Sequence, residues 1–188
     1  MTNDADLHTY ISIDVETAGP YPAKYSLLSI GACTLLEPRH TFYVELQPIN
    51  QLADPQALAI SGLNLAQLAE AGLSPGEAMA RFESWLNTTI PPGVQPVFLA
   101  FNAPFDWMFI SDYFYRYLGR QPFGHAALDI KAYYMGMFGV SWPETSMKYI
   151  SQKYLDRQHL THNALQDAID QAEIFRQMLV ESRQLAGK

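Results

Sequence analysis

Tyr10-Ile11-Ser12-Ile13-Asp14-Val15-Glu16-Thr17 alternates apolar and polar side chains along its length. A period of two is the pattern of a β-strand, with Ile11, Ile13 and Val15 on one face and Ser12, Asp14 and Glu16 on the other. Asp14 and Glu16 therefore point the same way, about 6.6 Å apart along the strand, and can reach one cation if the strand ends at a cleft. Taken alone, an Asp-x-Glu on a strand is more often an exposed edge than a metal site. The breaker cluster Ala18-Gly19-Pro20-Tyr21-Pro22 stops the strand just beyond Glu16 and puts both carboxylates beside a loop.

Two apolar runs follow, 26–35 and 41–46, separated by Glu37-Pro38-Arg39, and they read as the second and third strands of an antiparallel meander. Asp54-Pro55 starts a helix over 56–60 that Gly62 ends. Asn64 and Ser74 carry the start signals of two more, the second with Met79, Phe82 and Leu86 at core spacing. Val97-Phe98-Leu99-Ala100-Phe101 is an unbroken apolar run, the mark of a strand buried on both faces and paired in parallel. It runs into Asn102-Ala103-Pro104-Phe105-Asp106, where Pro104 opens a helix that lasts to Gly119 and Asp106 falls in the first turn. A short fifth strand over 127–130 precedes helices around 133–138, 147–155 and 164 to about 183. The last of these has Ala168, Ala172, Phe175 and Leu179 on one face. A meander followed by alternating strands and helices predicts an α/β fold, a mixed sheet with helices on its faces.

Composition sets bounds on function. A length of 188 residues with 48% hydrophobic content suits one domain over 1–188, with flexible ends expected at 1–7 and 184–188. Cys33 is the only cysteine, so no internal disulfide can form, which suits a reducing compartment. The polar, acidic N-terminus lacks a signal-peptide pattern and no run is long enough to span a bilayer, so a cytoplasmic protein with no membrane partner is expected. A net charge of −7 argues against a long electrostatic footprint on nucleic acid. Bound cations relax that limit, since two divalent ions take −7 to −3.

His162 and Asp167 are five residues apart, a rotation of about 500° on a continuous helix that would leave them on different faces. Asn163-Ala164-Leu165-Gln166 has the form of a capping box, which places His162 in the preceding loop and Asp167 in the first turn. Acidic residues there, Asp167 and Asp170, also suit the helix dipole with no further role. Combined, however, Asp14, Glu16, Asp106 and Asp167 all fall at strand ends or helix starts, and crowding them requires countercharge. Hard oxygen ligands suit Mg²⁺ or Mn²⁺, and the Cys and His spacing of a zinc site is missing.

Asp14-x-Glu16-Thr17, Asn102-x-x-x-Asp106 and His162-x-Ala164-x-x-Asp167-Ala168 together resemble, in order and spacing, the three motifs of the DEDDh exonuclease family. The resemblance covers nearly the whole chain and extends to Leu28-Ser29-Ile30-Gly31-Ala32 and Ala57-Leu58-Ala59-Ile60-Ser61-Gly62-Leu63. Departures from the family pattern fall at Ser61, Phe101 and Ile130, outside the catalytic positions. The resemblance implies an RNase H-like mixed five-stranded sheet, an antiparallel meander plus parallel strands, flanked by helices. It implies hydrolysis of 3′-terminal phosphodiesters of single-stranded nucleic acid, releasing nucleoside 5′-monophosphates, with two Mg²⁺ or Mn²⁺ ions. Asp14 then contacts both ions, Glu16 and Asp167 the ion that holds the attacking water, and Asp106 the second ion largely through water, while His162 serves as general base. Thr17, Ala18 and Tyr21 are expected to face the terminal nucleotide with Asn102, and Phe101, Phe105 or Trp107 to stack on a base. RNA or short oligonucleotides are slightly favoured over DNA. The alternatives are DNA 3′-end trimming or proofreading, and an inactive nuclease-like module that binds nucleic acid. A homodimer is an expectation by analogy with RNase T and oligoribonuclease.

Overall fold

In the computed structural model, which describes residues 8–155 and 162–186, the alternating stretch is β1, His8–Thr17. The sheet order β3-β2-β1-β4-β5 makes β1 the central strand. β2 (Leu27–Thr34) pairs antiparallel with β1, and β3 (Thr41–Glu45) antiparallel with β2, which is the expected meander. β4 (Gln95–Ala100) and β5 (Ala127–Asp129) are added in parallel. Between β3 and β4 lie α1 (Pro55–Ser61), α2 (Leu65–Ala71) and α3 (Pro75–Thr89). α4 (Ala103–Leu118), α5 (Ile130–Phe138), α6 (Met147–Tyr154) and α7 (Ala164–Ala186) complete the described helices. The expected flexible segment 1–7 lies outside the described residues, and 184–186 form the last turn of α7.

The two faces of β1 have different coverings. Ile11, Ile13 and Val15 are buried with Phe82 of α3, Phe98 of β4, and Phe109 and Phe114 of α4. The polar face of β1 lies under α7, and Ser12 is wholly buried there. A second core of Leu99, Ile130, Ile150, Phe175 and Met178 joins α5, α6 and α7 to that side of the sheet.

Local capping sets most helix starts. Asp54 Oδ1 accepts from Gln56 N at 2.9 Å, Asn64 Oδ1 from Ala66 N at 2.9 Å, and Ser74 Oγ from Glu77 N at 3.4 Å. Each such cap contributes about 1 kcal/mol. The same logic moves the start of α5 ahead of the expected position near 133, because Asp129 Oδ1 accepts from Ala132 N at 2.7 Å and begins the helix at Ile130. A 3-10 turn, Trp142–Thr145, precedes α6.

Pairing of β1 with β4 ends at Ser12 and Leu99, while β1 continues to Thr17. Beyond that point the strands part and leave a crevice at their carboxyl ends, the usual place for a site in a sheet of this kind. Gly31 of β2, in register with Asp14, fixes the roof over it. A β-carbon at Gly31 would overlap the Ala164 carbonyl and the Leu165 nitrogen, so only a hydrogen lets the first turn of α7 rest on the sheet. Among the described residues no helix is long and apolar enough to cross a membrane.

Gly31→Ala is expected to lower unfolding free energy by about 1–3 kcal/mol, the usual cost of overpacking. Urea denaturation measures it, and an unchanged midpoint would mean that α7 does not depend on this contact.

Candidate active site

Each carboxylate reaches the crevice from its own element. Asp14 and Glu16 are half-buried near the end of β1, whereas Asp106 and Asp167 are buried. The chain leaves β4 through Asn102 in the left-handed region (φ 66°), and Ala103 N donates to Asp129 Oδ2 at 2.6 Å. That anchored start places Asp106 one turn later, where its Oδ1 accepts from Val15 N at 3.1 Å, beyond the last β1–β4 pair. Asp167 is positioned by the cap of α7. Asn163 Oδ1 accepts from Gln166 N at 3.1 Å, and Asp167 N donates to the Asn163 carbonyl at 2.9 Å. The reciprocal arm of the expected capping box is not made, because Gln166 Nε2 donates to Asp170 Oδ1 instead.

His162 stands outside the helix as expected, exposed and left-handed at φ 54°, and its backbone N donates to Asp167 Oδ2 at 3.0 Å. Ligand atoms of Glu16, His162 and Asp167 all lie within 4.8 Å of one another. Asp14 and Asp106 join this group through charge. Burial raises the Asp14 pKa well above the carboxylate range, and Asp106, Glu16 and Asp167 raise it further. Burial followed by Asp167 pushes Glu16 up to about 7. Burial likewise raises Asp106, against the hydrogen bond from Val15. Asp14, Glu16 and Asp106 cannot all be ionised without positive charge nearby. Carboxylate oxygens with one imidazole are a donor set that fits Mg²⁺ or Mn²⁺. Cys33 takes no part, since its buried thiol is pushed up to about 12 and lies 3.5 Å from the Ala168 carbonyl.

Sequence reasoning missed two residues that hold this site together. Gln171 is only 1% exposed; its Nε2 donates to Asp14 Oδ1 at 2.7 Å and its Oε1 accepts from Phe101 N at 2.9 Å. The available signal was a polar residue one turn after Asp167, between Ala168 and Ala172 on the apolar face of α7. Asp129 is the other, joining the starts of α4 and α5 through one carboxylate.

The expected substrate contacts separate into two groups. Thr17 and Phe105 line a cavity of about 220 Å³ with Gly19, Pro20, Ala57 and Ile60, while Tyr21 and Asn102 are exposed nearby in sequence. Ala18 is fully buried, its N–H donates to Ser26 O and its carbonyl accepts from Asp54 N, so it shapes the loop that follows β1. Trp107 is half-buried and packs edge-on against Phe98, 5.2 Å between ring centroids, at the margin of the first core.

A family model described as exonuclease matches residues 11–175. The chain belongs to this exonuclease family. It is 46% identical over 171 residues to the 3′-5′ DNA exonuclease Cap18 of Escherichia coli, an alignment that covers 91% of each chain. The fold resembles the nuclease domain of 3′hExo, a DEDDh family member bound to rAMP, with a TM-score of 0.78, 18% identity and 95% of each chain covered. It also resembles E. coli exonuclease I in complex with a dT13 oligonucleotide, with a TM-score of 0.73 and 19% identity over 96% of this chain and 43% of that one. The protein is a 3′-5′ exonuclease of the DEDDh type, and its mixed five-stranded sheet flanked by helices is the fold of that family.

The charge balance has a measurable consequence for the metal-free exonuclease. Because the folded pKa of Glu16 is raised, its contribution to stability is fully present below about 4.5 and is lost as pH rises through about 7. The melting temperature in EDTA is therefore expected to fall across that window. Excess Mg²⁺ is expected to raise it more above pH 7 than at the acid end, and an equal Mg²⁺ effect at both ends would contradict the assignment.

Proposed function

We propose that this exonuclease removes nucleotides one at a time from the 3′ end of single-stranded DNA, releasing nucleoside 5′-monophosphates. The observation that carries the reading is the convergence of Asp14, Glu16, Asp106 and Asp167 at one sheet end, with His162 within 4.8 Å of the Glu16 and Asp167 ligand atoms. The relative that is 46% identical is a DNA exonuclease, which moves DNA ahead of the RNA slightly favoured by sequence alone. Asp14, Glu16, Asp106 and Asp167 would hold two Mg²⁺ or Mn²⁺ ions. Such a pair supplies positive charge to the attacking and leaving oxygens of an in-line displacement.

The chain's own groups perform the remaining steps. Gln171 keeps one oxygen of Asp14 engaged, which leaves the other available to a cation. The His162 ring, tethered through its backbone to Asp167, takes a proton from the water beside Glu16 and Asp167. Its exposure suits a base that completes the site only when a strand is seated. The terminal nucleoside fits the cavity between Thr17, Phe105 and α1, where the Phe105 ring offers a stacking surface.

His162→Ala is expected to lose about 10²–10⁴-fold in turnover while Mg²⁺ still raises the melting temperature. Loss of the Mg²⁺ effect together with turnover would make His162 a metal ligand. With 5′-labelled single strands, the wild type is expected to give a 5′-anchored ladder on DNA in Mg²⁺ or Mn²⁺, absent in Asp14→Ala. A ladder on RNA alone would return the substrate to RNA, and binding without cleavage would make the protein a nuclease-like binding module.

A further inference from the structure

An acidic protein must hold a polyanion with few cations, so the state of each cation matters. Among the described residues, Arg39, Arg81, Arg116, Arg120, Lys153 and Arg176 each pair with a carboxylate at 3.2 Å or less. Among the described residues Lys24, Lys131, Lys148 and Arg183 have no such partner, and of these Lys131 is the one set against two rings. Its Nζ lies 4.0 Å from the centroid of the Trp142 ring and 5.9 Å from that of Phe101.

The position of this trio follows from the topology. β1, β4 and β5 run parallel, so their carboxyl ends open on one side. Asp14 and Glu16 lie at that end of β1, Phe101 directly follows β4, and Lys131 is the second residue of α5, directly after β5. Phe101 alternates with Leu99, which is in register with Ser12 on the face that also carries Asp14. The amide of Gln171 that holds Asp14 also binds the backbone N–H of Phe101. The cluster is thus one side-chain amide away from the carboxylates.

Trp142 is 52% exposed, an unusual state for an indole. Its backbone is nevertheless fixed: Thr145 Oγ1 donates to its carbonyl at 2.7 Å, and Ser141 N donates to Glu144 Oε2 at 2.9 Å across the same turn. An exposed ring on a rigid turn loses little conformational entropy when a flat partner stacks on it. Aromatic faces accept any base, and positive charge beside them suits the backbone phosphates of a single strand.

We propose that Phe101, Lys131 and Trp142 form a track for the nucleotides on the 5′ side of the scissile bond. The inference rests on the reading of this chain as a single-strand 3′-exonuclease, and it names the part of the strand that the carboxylates and the Phe105 cavity do not hold. The track takes a few nucleotides of single strand, with stacking supplied by two rings and phosphate contact by one lysine.

The test compares a 5′-fluorescein-labelled thymidylate octanucleotide with the dinucleotide, each with a 3′ phosphorothioate to slow cleavage, by fluorescence anisotropy in Ca²⁺. In the wild type the octanucleotide is expected to bind more tightly, and in Trp142→Ala the octanucleotide-to-dinucleotide affinity ratio is expected to fall about tenfold, within the range of one lost stack. Trp142→Phe is expected to restore most of it. Lys131→Gln, a change at a half-buried position that keeps most of the side chain, is expected to flatten the salt dependence of octanucleotide binding by a slope of about 0.7. Unchanged length dependence in Trp142→Ala together with an unchanged salt slope in Lys131→Gln overturns the track. Should the wild type leave 3′ ends intact yet show length-dependent binding that Trp142→Ala removes, the track stands and the exonuclease reading falls.

Discussion

Mutual repulsion among four carboxylates is the constraint around which this fold is arranged. Asp14 is raised by burial and by three like charges, and Glu16 is pushed up to about 7, so the carboxylates oppose their own assembly. The assembly is held by packing elsewhere. Ile11, Ile13 and Val15 bind β1 into the aromatic core of α3 and α4, while Leu99, Phe175 and Met178 bind α7 to the other face. Burial of a single such side chain contributes about 1.5–3 kcal/mol, and several act on each element. Two cores on opposite faces therefore outweigh a repulsion confined to one sheet end.

That division explains why positional accuracy at the site comes from backbone contacts. Asp106 is fixed by the Val15 N–H, Asp167 by its own helix start and the His162 N–H, and α7 as a whole by its contact with Gly31. Side chains that repel one another cannot position one another. Gln171 is the exception that fits the rule, a neutral donor among acids, and it is the one group that lowers the Asp14 pKa.

Much of this was legible in the chain because its cause is local. The period of two in β1, the unbroken apolar run of β4, and the side-chain caps at Asp54, Asn64, Ser74 and Asn163 each act within a few residues. Placing Asn163 as the cap was enough to free His162 from the helix and bring it back to Asp167. What stayed hidden depends on distant partners. Gln171 meets Asp14 across 157 positions, and nothing in its own helix reports that neighbour. Asp129 looked like the end of a strand, yet its two oxygens begin two helices. Ala18 looked like part of an open loop, whereas Leu28 and Leu68 close over it.

The same distinction bears on how an acidic chain acts on a polyanion. Most described arginines are committed to carboxylates, such as Arg39 to Glu173 and Arg120 to Glu83, and serve the scaffold. On the proposed function, positive charge for the substrate comes from bound cations and from lysines set against rings, as at Lys131 over Trp142 and Lys24 over Tyr25. Both lysines lie near the loop ends of the sheet, Lys24 after β1 and Lys131 after β5. Contacts of this kind act over a few ångströms, because screening removes weak surface fields within about 8–10 Å. On the proposed function, a net charge of −7 leaves little attraction for nucleic acid at a distance and makes binding depend on a strand end that reaches the carboxylates, which is the selectivity an exonuclease needs.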